Sequence, residues 1–198
     1  MAYDKFTVLK SSAVPLPIEN VDTDQIIPAR FLKATERKEF GENLFRDWRY
    51  NQDGTPKEDF ILNNPVYAGK ILVGGKNFGS GSSREHAAWA IYDYGFRCVV
   101  SSFFADIFKG NAINIGVLPV QVSPAFLDKI FTAIEADPKA ELEVNLPEQK
   151  ITILATGDSE SFAINGYKKH NMLNGFDDID YLQAMKEEVK GFAKASLY

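Results

Sequence analysis

The chain has 198 residues, of which 45% are hydrophobic, enough for one well-buried domain. Its formal net charge of −5 opposes the attraction to phosphates on which nucleic-acid-binding proteins depend, so nucleic acid is not expected as a ligand. No apolar run approaches the ~20 residues of a membrane span, and the first residues carry charges where a signal peptide would be apolar. We therefore expect a soluble, unexported protein of the cytoplasm that does not enter a membrane.

Metal-binding side chains are scarce in this sequence. It contains one cysteine, Cys98, and two histidines, His86 and His170. A disulfide within the chain is excluded, and the ligands are too few for a structural zinc ion or a complete iron–sulfur cluster. Cys98 lies in an apolar run, which favours a buried structural thiol. Any metal centre would need ligands from another chain.

The N-terminal part reads as short strands and polar loops. Residues 6–9 and 25–27 are strand-like, and residues 20–24 between them are typical of a turn. From about residue 30 to residue 59 the chain is highly charged, and we expect a mobile loop excursion there.

From residue 65 the pattern changes to strands and helices in alternation. Short apolar runs typical of buried strands lie at residues 70–74, 97–101 and 117–122. Stretches typical of helices lie at residues 83–94, 103–115 and 124–136. A β-α-β-α-β order predicts a parallel sheet with right-handed crossovers.

The last third predicts a different kind of sheet. Three short segments separated by turns, at residues 141–144, 150–155 and 161–164, are typical of antiparallel strands. A stripe of apolar residues predicts an amphipathic C-terminal helix over residues 177–198. No repeat or linker divides the chain. We expect a single domain, residues 1–198, with a layered α/β fold that has a parallel and an antiparallel sheet.

The most informative stretch is the loop of residues 76–86, between a predicted strand and a predicted helix. The carboxyl end of a parallel strand is where α/β proteins bind ligands. Gly79 and Gly81 allow a sharp turn and a close approach to a ligand, and the free N–H groups of the following helix favour an anion. The residue order matches neither a Walker loop nor a nucleophile elbow. We predict an anion-binding loop.

A purely structural interpretation of the same loop also stands. Ser82 and Glu85 have the spacing of a capping box at the start of the helix. Arg84 argues against capping alone, because a cation in the first helical turn opposes the helix dipole by roughly 0.3–1 kcal/mol and calls for an anionic partner. An arginine can bind a carboxylate through two parallel hydrogen bonds, and adjacent serine hydroxyls can bind the same ligand.

Several segments of the sequence resemble one known family. Residues 79–87, Gly-Ser-Gly-Ser-Ser-Arg-Glu-His-Ala, resemble the signature of the swivel domain shared by aconitases and isopropylmalate isomerases. Residues 20–28 are similar to the N-terminal signature of the isomerase small subunits, and residues 102–119 resemble the segment that follows the serine loop. Residues 45–50, Phe-Arg-Asp-Trp-Arg-Tyr, resemble the bacterial form. The resemblance spans nearly the whole chain and implies the layered β/β/α swivelling domain of aconitase type.

The resemblance also implies an activity and a partner. Members of this family are hydro-lyases. The resemblance implies that this chain takes part in leucine biosynthesis, in the interconversion of 2-isopropylmalate and 3-isopropylmalate through isopropylmaleate. The implied substrate is a small dicarboxylate, and the implied assembly is a heterodimer with a large subunit. In the family a 4Fe-4S cluster acts as Lewis acid, and its three cysteines lie in the large subunit. The single cysteine of this chain agrees with that division.

Roles for the loop residues follow from the same resemblance. Ser82 matches the serine that serves, as an alkoxide, as the catalytic base. Ser83 and Arg84 match substrate-binding residues, and their backbone N–H groups are expected to form the oxyanion hole that stabilises the serine anion. Four further residues are assigned to supporting the loop: Gly79, Gly81, Glu85 and His86.

Two other segments could contribute to the cleft. The cluster of Asp22, Thr23 and Asp24 is either a turn-stabilising group, as Asx-rich segments often are, or part of the cleft lining. Residues 30–41 resemble the stretch that closes over the variable side chain of the substrate in relatives. The charge of that stretch and its lack of core residues predict mobility.

Two alternative functions are compatible with the loop. Homoaconitate, citraconate and dimethylmalate hydratases use similar small subunits, and the serine loop does not separate their substrates; assays with each diacid would. A non-enzymatic module could use the loop only to hold a phosphate. That module would bind phosphate without turnover, and it leaves the other matching segments unexplained.

Overall fold

The computed structural model describes residues 3–32, 40–82 and 84–176. The strands are β1 Val8–Leu16, β2 Ile71–Gly74, β3 Cys98–Ser101, β4 Leu118–Gln121, β5 Glu141–Asn145, β6 Lys150–Ile153 and β7 Ser159–Ser161. The α-helices are α1 Thr23–Ile26, α2 Arg46–Arg49, α3 Glu85–Tyr94, α4 Asp106–Asn114, α5 Pro124–Ala136 and α6 Gly166–Asn174. Short 3₁₀ turns lie at Ala29–Phe31, Gly41–Asn43 and Ile61–Asn63.

The strands form one mixed sheet in the order β4-β3-β2-β1-β5-β6-β7. Strand β1 joins the two halves, because residues 13–16 pair parallel with β2 and residues 8–12 pair antiparallel with β5. β2, β3 and β4 are parallel to each other, whereas β5, β6 and β7 are antiparallel. The predicted mixed α/β fold with parallel and antiparallel pairing is confirmed. The sequence pattern had marked only residues 6–9 of the long joining strand.

Both faces of the parallel half are covered by helices. β2 and β3 are buried at every residue, as expected of parallel strands packed on both sides. Alternate strand residues divide between two cores: Leu72 and Val99 pack with the buried face of α3, and Val73 and Val100 pack with that of α5. This arrangement leaves the carboxyl ends of β1, β2 and β3 at one edge, where the loops that follow them meet.

The segment after β1 differs from the sequence prediction. Residues 25–27 were predicted to be strand-like, but Thr23–Ile26 is helix α1. The carboxylate of Asp22 accepts from the backbone N–H of Asp24 at 2.7 Å, and the Gln25 side chain accepts from the N–H of Asp22 at 2.8 Å. This reciprocal capping box starts the helix, and the spacing of Asp22 and Gln25 was its signal in the sequence.

Smaller differences occur along the rest of the chain. The helices predicted from residues 83 and 103 begin at Glu85 and Asp106, and the last strand is Ser159–Ser161 instead of residues 161–164. Helix α6 was not predicted; it starts at the cap Asn165 and ends at Gly175, whose φ is +71°. The C-terminal helix predicted for residues 177–198 falls outside the described residues.

The second part of the predicted loop excursion packs on the core. Phe40, Leu44 and Phe45 are buried. The buried guanidinium of Arg49 donates to the carbonyls of residues 41, 42 and 44 and lies 4.9 Å from the centre of the Tyr94 ring. The expectation that residues 30–41 hold no core residue is therefore wrong for Phe40. Residues 33–39 are outside the described ranges, and the mobility of the excursion stays a prediction.

Over the ranges given above, no helix combines the length and the apolar character needed to cross a membrane.

Candidate active site

The loop after β2 is held between two other segments that follow parallel strands. On one side lies the segment after β1: the N–H of Gly79 donates to the carbonyl of Val21 at 2.8 Å, and the N–H of Thr23 donates to the carbonyl of Ser80 at 2.9 Å. On the other side, the N–H of Phe78 donates to the carbonyl of Phe103, after β3, at 3.0 Å. The loop therefore lies at the carboxyl edge of the parallel strands, where α/β proteins bind ligands.

Gly79 and Gly81 both have left-handed backbone conformations, with φ of +78° and +87°. A Cβ atom at Gly79 would overlap the ring of Phe108, and one at Gly81 would overlap the carboxylate of Asp22. Glycine is thus required twice over at each position, for the conformation and for the space. The groups that approach these glycines so closely belong to the protein itself.

Ser82 lies exposed on the surface of the loop. Its carbonyl accepts from the hydroxyl of the buried Thr23 at 2.9 Å, which fixes the main chain at this residue. Its own hydroxyl has no hydrogen-bond partner among residues 3–32, 40–82 and 84–176. A ligand can therefore reach it. Ser83 is outside the described residues, and its substrate-binding role stays a prediction.

Arg84 precedes helix α3 in an extended conformation, with φ −129° and ψ 109°. The predicted capping box with Ser82 as N-cap is therefore wrong, because Arg84 occupies the N-cap position and its side chain makes no capping bond. The oxyanion hole expected from the backbone N–H groups of Ser83 and Arg84 stays a prediction. The first N–H groups that belong to the helix are those of Glu85 and His86, and the N–H of Arg84 precedes them.

The guanidinium of Arg84 forms an ion pair with the carboxylate of Asp24. The arginine side chain is 17% exposed and that of Asp24 is 50% exposed. The anionic partner expected for Arg84 is therefore present within the chain, and it is Asp24. The bond uses Nη1 of the arginine, and the planar fork carries further N–H groups that can bind a second carboxylate.

The Asp22, Thr23 and Asp24 cluster lies against the serine loop. Asp22 caps α1 and lies under Gly81, Thr23 holds the carbonyl of Ser82, and Asp24 pairs with Arg84. From the sequence, two roles were open for these three residues: stabilising a turn or lining the cleft. In the fold they are the supports of Ser82 and Arg84.

Glu85 and His86 occupy the first turn of α3. Both contact Trp89 of the same helix, and His86 also contacts Phe40. The carboxylate of Glu85 accepts from Nε1 of Trp89 at 3.2 Å. The ring of His86 packs against Trp89 and Phe40, with centroid distances of 4.6 and 5.5 Å. The contact with Phe40 joins the start of the helix to a distant segment, and no pattern in the sequence predicted it.

Gly81 and Ser82 are both exposed. Two surface depressions of about 730 and 610 Å³ lie elsewhere, on residues 30–57 and between residues 41–50 and 93–94. In the larger one, the hydrogen bond from Arg30 holds the pKa of the Asp47 carboxyl below its ordinary value. Ser82 and Arg84 line neither of these two depressions.

The residues of this chain do not fit an iron–sulfur cluster. Cys98 is fully buried in β3, and burial raises the pKa of its thiol, so the thiolate that a cluster needs is disfavoured. Within the described ranges, no three His, Cys, Asp or Glu side chains are grouped to hold a metal ion.

Known proteins are similar to this chain in sequence and in fold. The family model of the aconitase C-terminal domain matches residues 3–125, and a second model, LeuD_N, matches residues 128–166. The chain is 65% identical over 195 residues to the 3-isopropylmalate dehydratase small subunit of Cytophaga hutchinsonii, covering 98% of this chain and 97% of that one. It is 61% identical over 189 residues to the small subunit of Christiangramia forsetii, covering 96% and 92% of the two chains.

A solved structure has the same arrangement. The crystal structure of 3-isopropylmalate dehydratase from Methanocaldococcus jannaschii matches with a TM-score of 0.68 at 28% sequence identity. The match covers 93% of this chain and 98% of that one.

Proposed function

The chain belongs to the family of 3-isopropylmalate dehydratase small subunits, and we propose that it forms one half of the active site of that hydro-lyase. The reaction interconverts 2-isopropylmalate and 3-isopropylmalate through isopropylmaleate in leucine biosynthesis. A large subunit supplies the other half. The proposal is carried by one arrangement: Ser82 is exposed, and Arg84, two residues further along the chain, is held by Asp24 next to the residue that binds the Ser82 carbonyl, Thr23.

Ser82 is proposed as the base that removes the carbon-bound proton of the diacid. In the forward step the proton moves to the Ser82 oxygen, and on rehydration it is returned to a substrate carbon. A serine hydroxyl is a poor base, so its anion needs nearby positive potential. The backbone N–H groups of Ser83 and Arg84 are proposed to provide it, together with the N–H groups of Glu85 and His86 and the dipole at the start of α3.

Arg84 is proposed to bind a carboxylate of the substrate. Its side chain is mostly buried and is oriented by Asp24, which lowers the entropy that it loses when a ligand binds. A held arginine fork also fixes the direction from which a diacid approaches Ser82.

The 4Fe-4S cluster is proposed to be carried by the large subunit, since the residues of this chain do not fit it. When bound there, such a cluster supplies the Lewis acid for departure of the hydroxyl group. The part of this chain is to hold the substrate carboxylate and to move the proton.

The relatives favour isopropylmalate over the other diacids. Small subunits with that name match this chain at 65% and 61% identity over nearly its full length. The hydratases of homoaconitate, citraconate and dimethylmalate remain the alternatives with the same chemistry. A module that only holds phosphate is disfavoured, because these relatives are dehydratase subunits.

The proposal is tested by pairing the full chain with an iron–sulfur large subunit under anaerobic conditions and following the absorbance of the unsaturated diacid. We expect turnover with isopropylmalate that exceeds turnover with the other diacids. Ser82→Ala should leave folding and pairing intact and lower kcat at least ~10²-fold. Ser161→Ala, the same change on the exposed edge strand β7, should have no effect. Near-normal turnover of Ser82→Ala would contradict the role of this serine.

A further inference from the structure

Three large apolar side chains are exposed on the segments that flank the serine loop. Ile18, Phe103 and Ile107 are 39%, 47% and 56% exposed. Ile18 follows β1, Phe103 follows β3, and Ile107 is in the first turn of α4. Exposed apolar side chains that cluster around one feature of a surface are typical of sites where another protein binds.

Each of the three is attached to the loop by a direct contact of its segment. The carbonyl of Ile18 accepts from the N–H of Gly75 at 3.2 Å, and the carbonyl of Phe103 accepts from the N–H of Phe78 at 3.0 Å. Ile107 is followed by Phe108, whose ring fills the space against Gly79. The segments that carry these exposed apolar side chains therefore lie on both sides of the loop that presents Ser82.

We infer that Ile18, Phe103 and Ile107 form the docking surface for the iron–sulfur large subunit. This inference rests on the proposed function. Ser82 is exposed, and in the proposed function its substrate is enclosed by a second chain that also carries the cluster. Because that chain must come within contact distance of a ligand at Ser82, it also covers the side chains beside the loop. Interfaces of standard size bury ~800 Å² per partner, and a few large side chains near the centre supply most of the binding energy.

Other exposed apolar side chains of the described chain lie away from the loop. Val8 starts β1, about 26 Å along the strand from its carboxyl end. Val66 precedes β2 and is 52% exposed, and Leu154 follows β6 in the antiparallel half and is 40% exposed. Val66 and Leu154 therefore serve as matched controls, with similar exposure at a different place.

The experiment measures the dissociation constant of the pair by sedimentation velocity or calorimetry, for the wild-type chain and for charged variants. Phe103→Asp and Ile107→Asp are expected to raise Kd at least ~10-fold. Val66→Asp and Leu154→Asp are expected to leave Kd within about twofold of the wild-type value. At saturating concentrations of the small subunit, kcat of Ile107→Asp should recover, because Ser82 and Arg84 are unchanged.

Aspartate at residue 107 is compatible with the fold, since a carboxylate in the first turn of a helix is favoured by its dipole. Amide hydrogen exchange of the wild-type pair gives a second measurement that needs no variant. Amides of residues 102–109 should gain protection when the large subunit binds, and amides of residues 150–154 should not.

Wild-type Kd values for both Phe103→Asp and Ile107→Asp, with no change in exchange at residues 102–109, would overturn the docking surface and leave the proposed function standing. Failure of the wild-type chain to pair with an iron–sulfur large subunit would overturn both. A patch that proves to join two copies of this chain, with Ile107→Asp abolishing a homodimer but not the pair, would also overturn it.

Discussion

The guanidinium of Arg84 and the carboxylate of Asp24 form an ion pair that joins segments 60 residues apart. Asp24 lies in the first turn of α1, where the helix dipole favours a carboxylate, and Arg84 immediately precedes α3. The pair therefore holds the starts of two helices together at the serine loop. It also orients the side chain that we propose as the carboxylate ligand.

Removing Asp24 should weaken binding of the diacid more than it slows the chemistry. Half-exposed ion pairs contribute about 1 kcal/mol or less, so Asp24→Ala is expected to raise KM by up to about fivefold with a smaller fall in kcat. Asp24→Asn keeps a hydrogen-bond acceptor and should give a smaller rise. Steady-state kinetics of the reconstituted pair measures both. A fall in KM would mean that Asp24 competes with the substrate for Arg84.

Gly81 should tolerate alanine much less well than Gly54. Both have positive φ, +87° and +85°, so both variants bear the conformational cost of about 1 kcal/mol. Only at Gly81 does the new Cβ overlap another group, the capping carboxylate of Asp22; around Gly54 there is open space. We expect Gly81→Ala to lower the free energy of unfolding by a further ~1–3 kcal/mol. Denaturant unfolding of the two variants tests this, and equal losses would contradict the close packing at Gly81.

His86 is expected to act through packing. His86→Phe keeps an aromatic ring between Phe40 and Trp89 and should retain most of the turnover with an unchanged pH–rate profile. His86→Ala loses those ring contacts, each worth roughly 0.5–1.5 kcal/mol, and should lower both stability and turnover. If His86→Phe folds and pairs normally yet has lost its turnover, the imidazole takes a direct part in the reaction.

The Arg30–Asp47 pair predicts a pH dependence of stability. The hydrogen bond from Arg30 lowers the pKa of the Asp47 carboxyl from its ordinary value of 3.8. A carboxylate with a depressed pKa in the folded state stabilises the protein above pH ~4, and this contribution is lost as the pH falls through the folded-state pKa. Asp47→Asn should therefore be slightly less stable than wild type at pH 7, by under ~1 kcal/mol, and the difference should shrink as the pH falls through the folded-state pKa of Asp47. A direct check is an NMR titration, in which Arg30→Gln should raise the pKa of Asp47.

The sequence by itself determined the alternation of strands and helices over residues 70–136 and the place of the serine loop between a strand and a helix. These features are predictable because buried residues recur with the period of the strand or helix, and because turn residues mark where each element ends. The family resemblance of residues 79–87 depends on the same local stretch. The spacing of Asp22 and Gln25 is typical of a capping box, but it was not used as a helix signal because residues 25–27 were interpreted as strand-like.

Only the tertiary structure decided which supports surround the loop. That Asp24 pairs with Arg84, that Thr23 holds Ser82 and that Phe40 packs on His86 depend on segments brought together by the sheet. Likewise, β1 serves both halves because its two ends pair in opposite directions with β2 and β5. Such contacts join residues tens of positions apart. They follow from strand order and register, which the periodicity of a single segment does not encode.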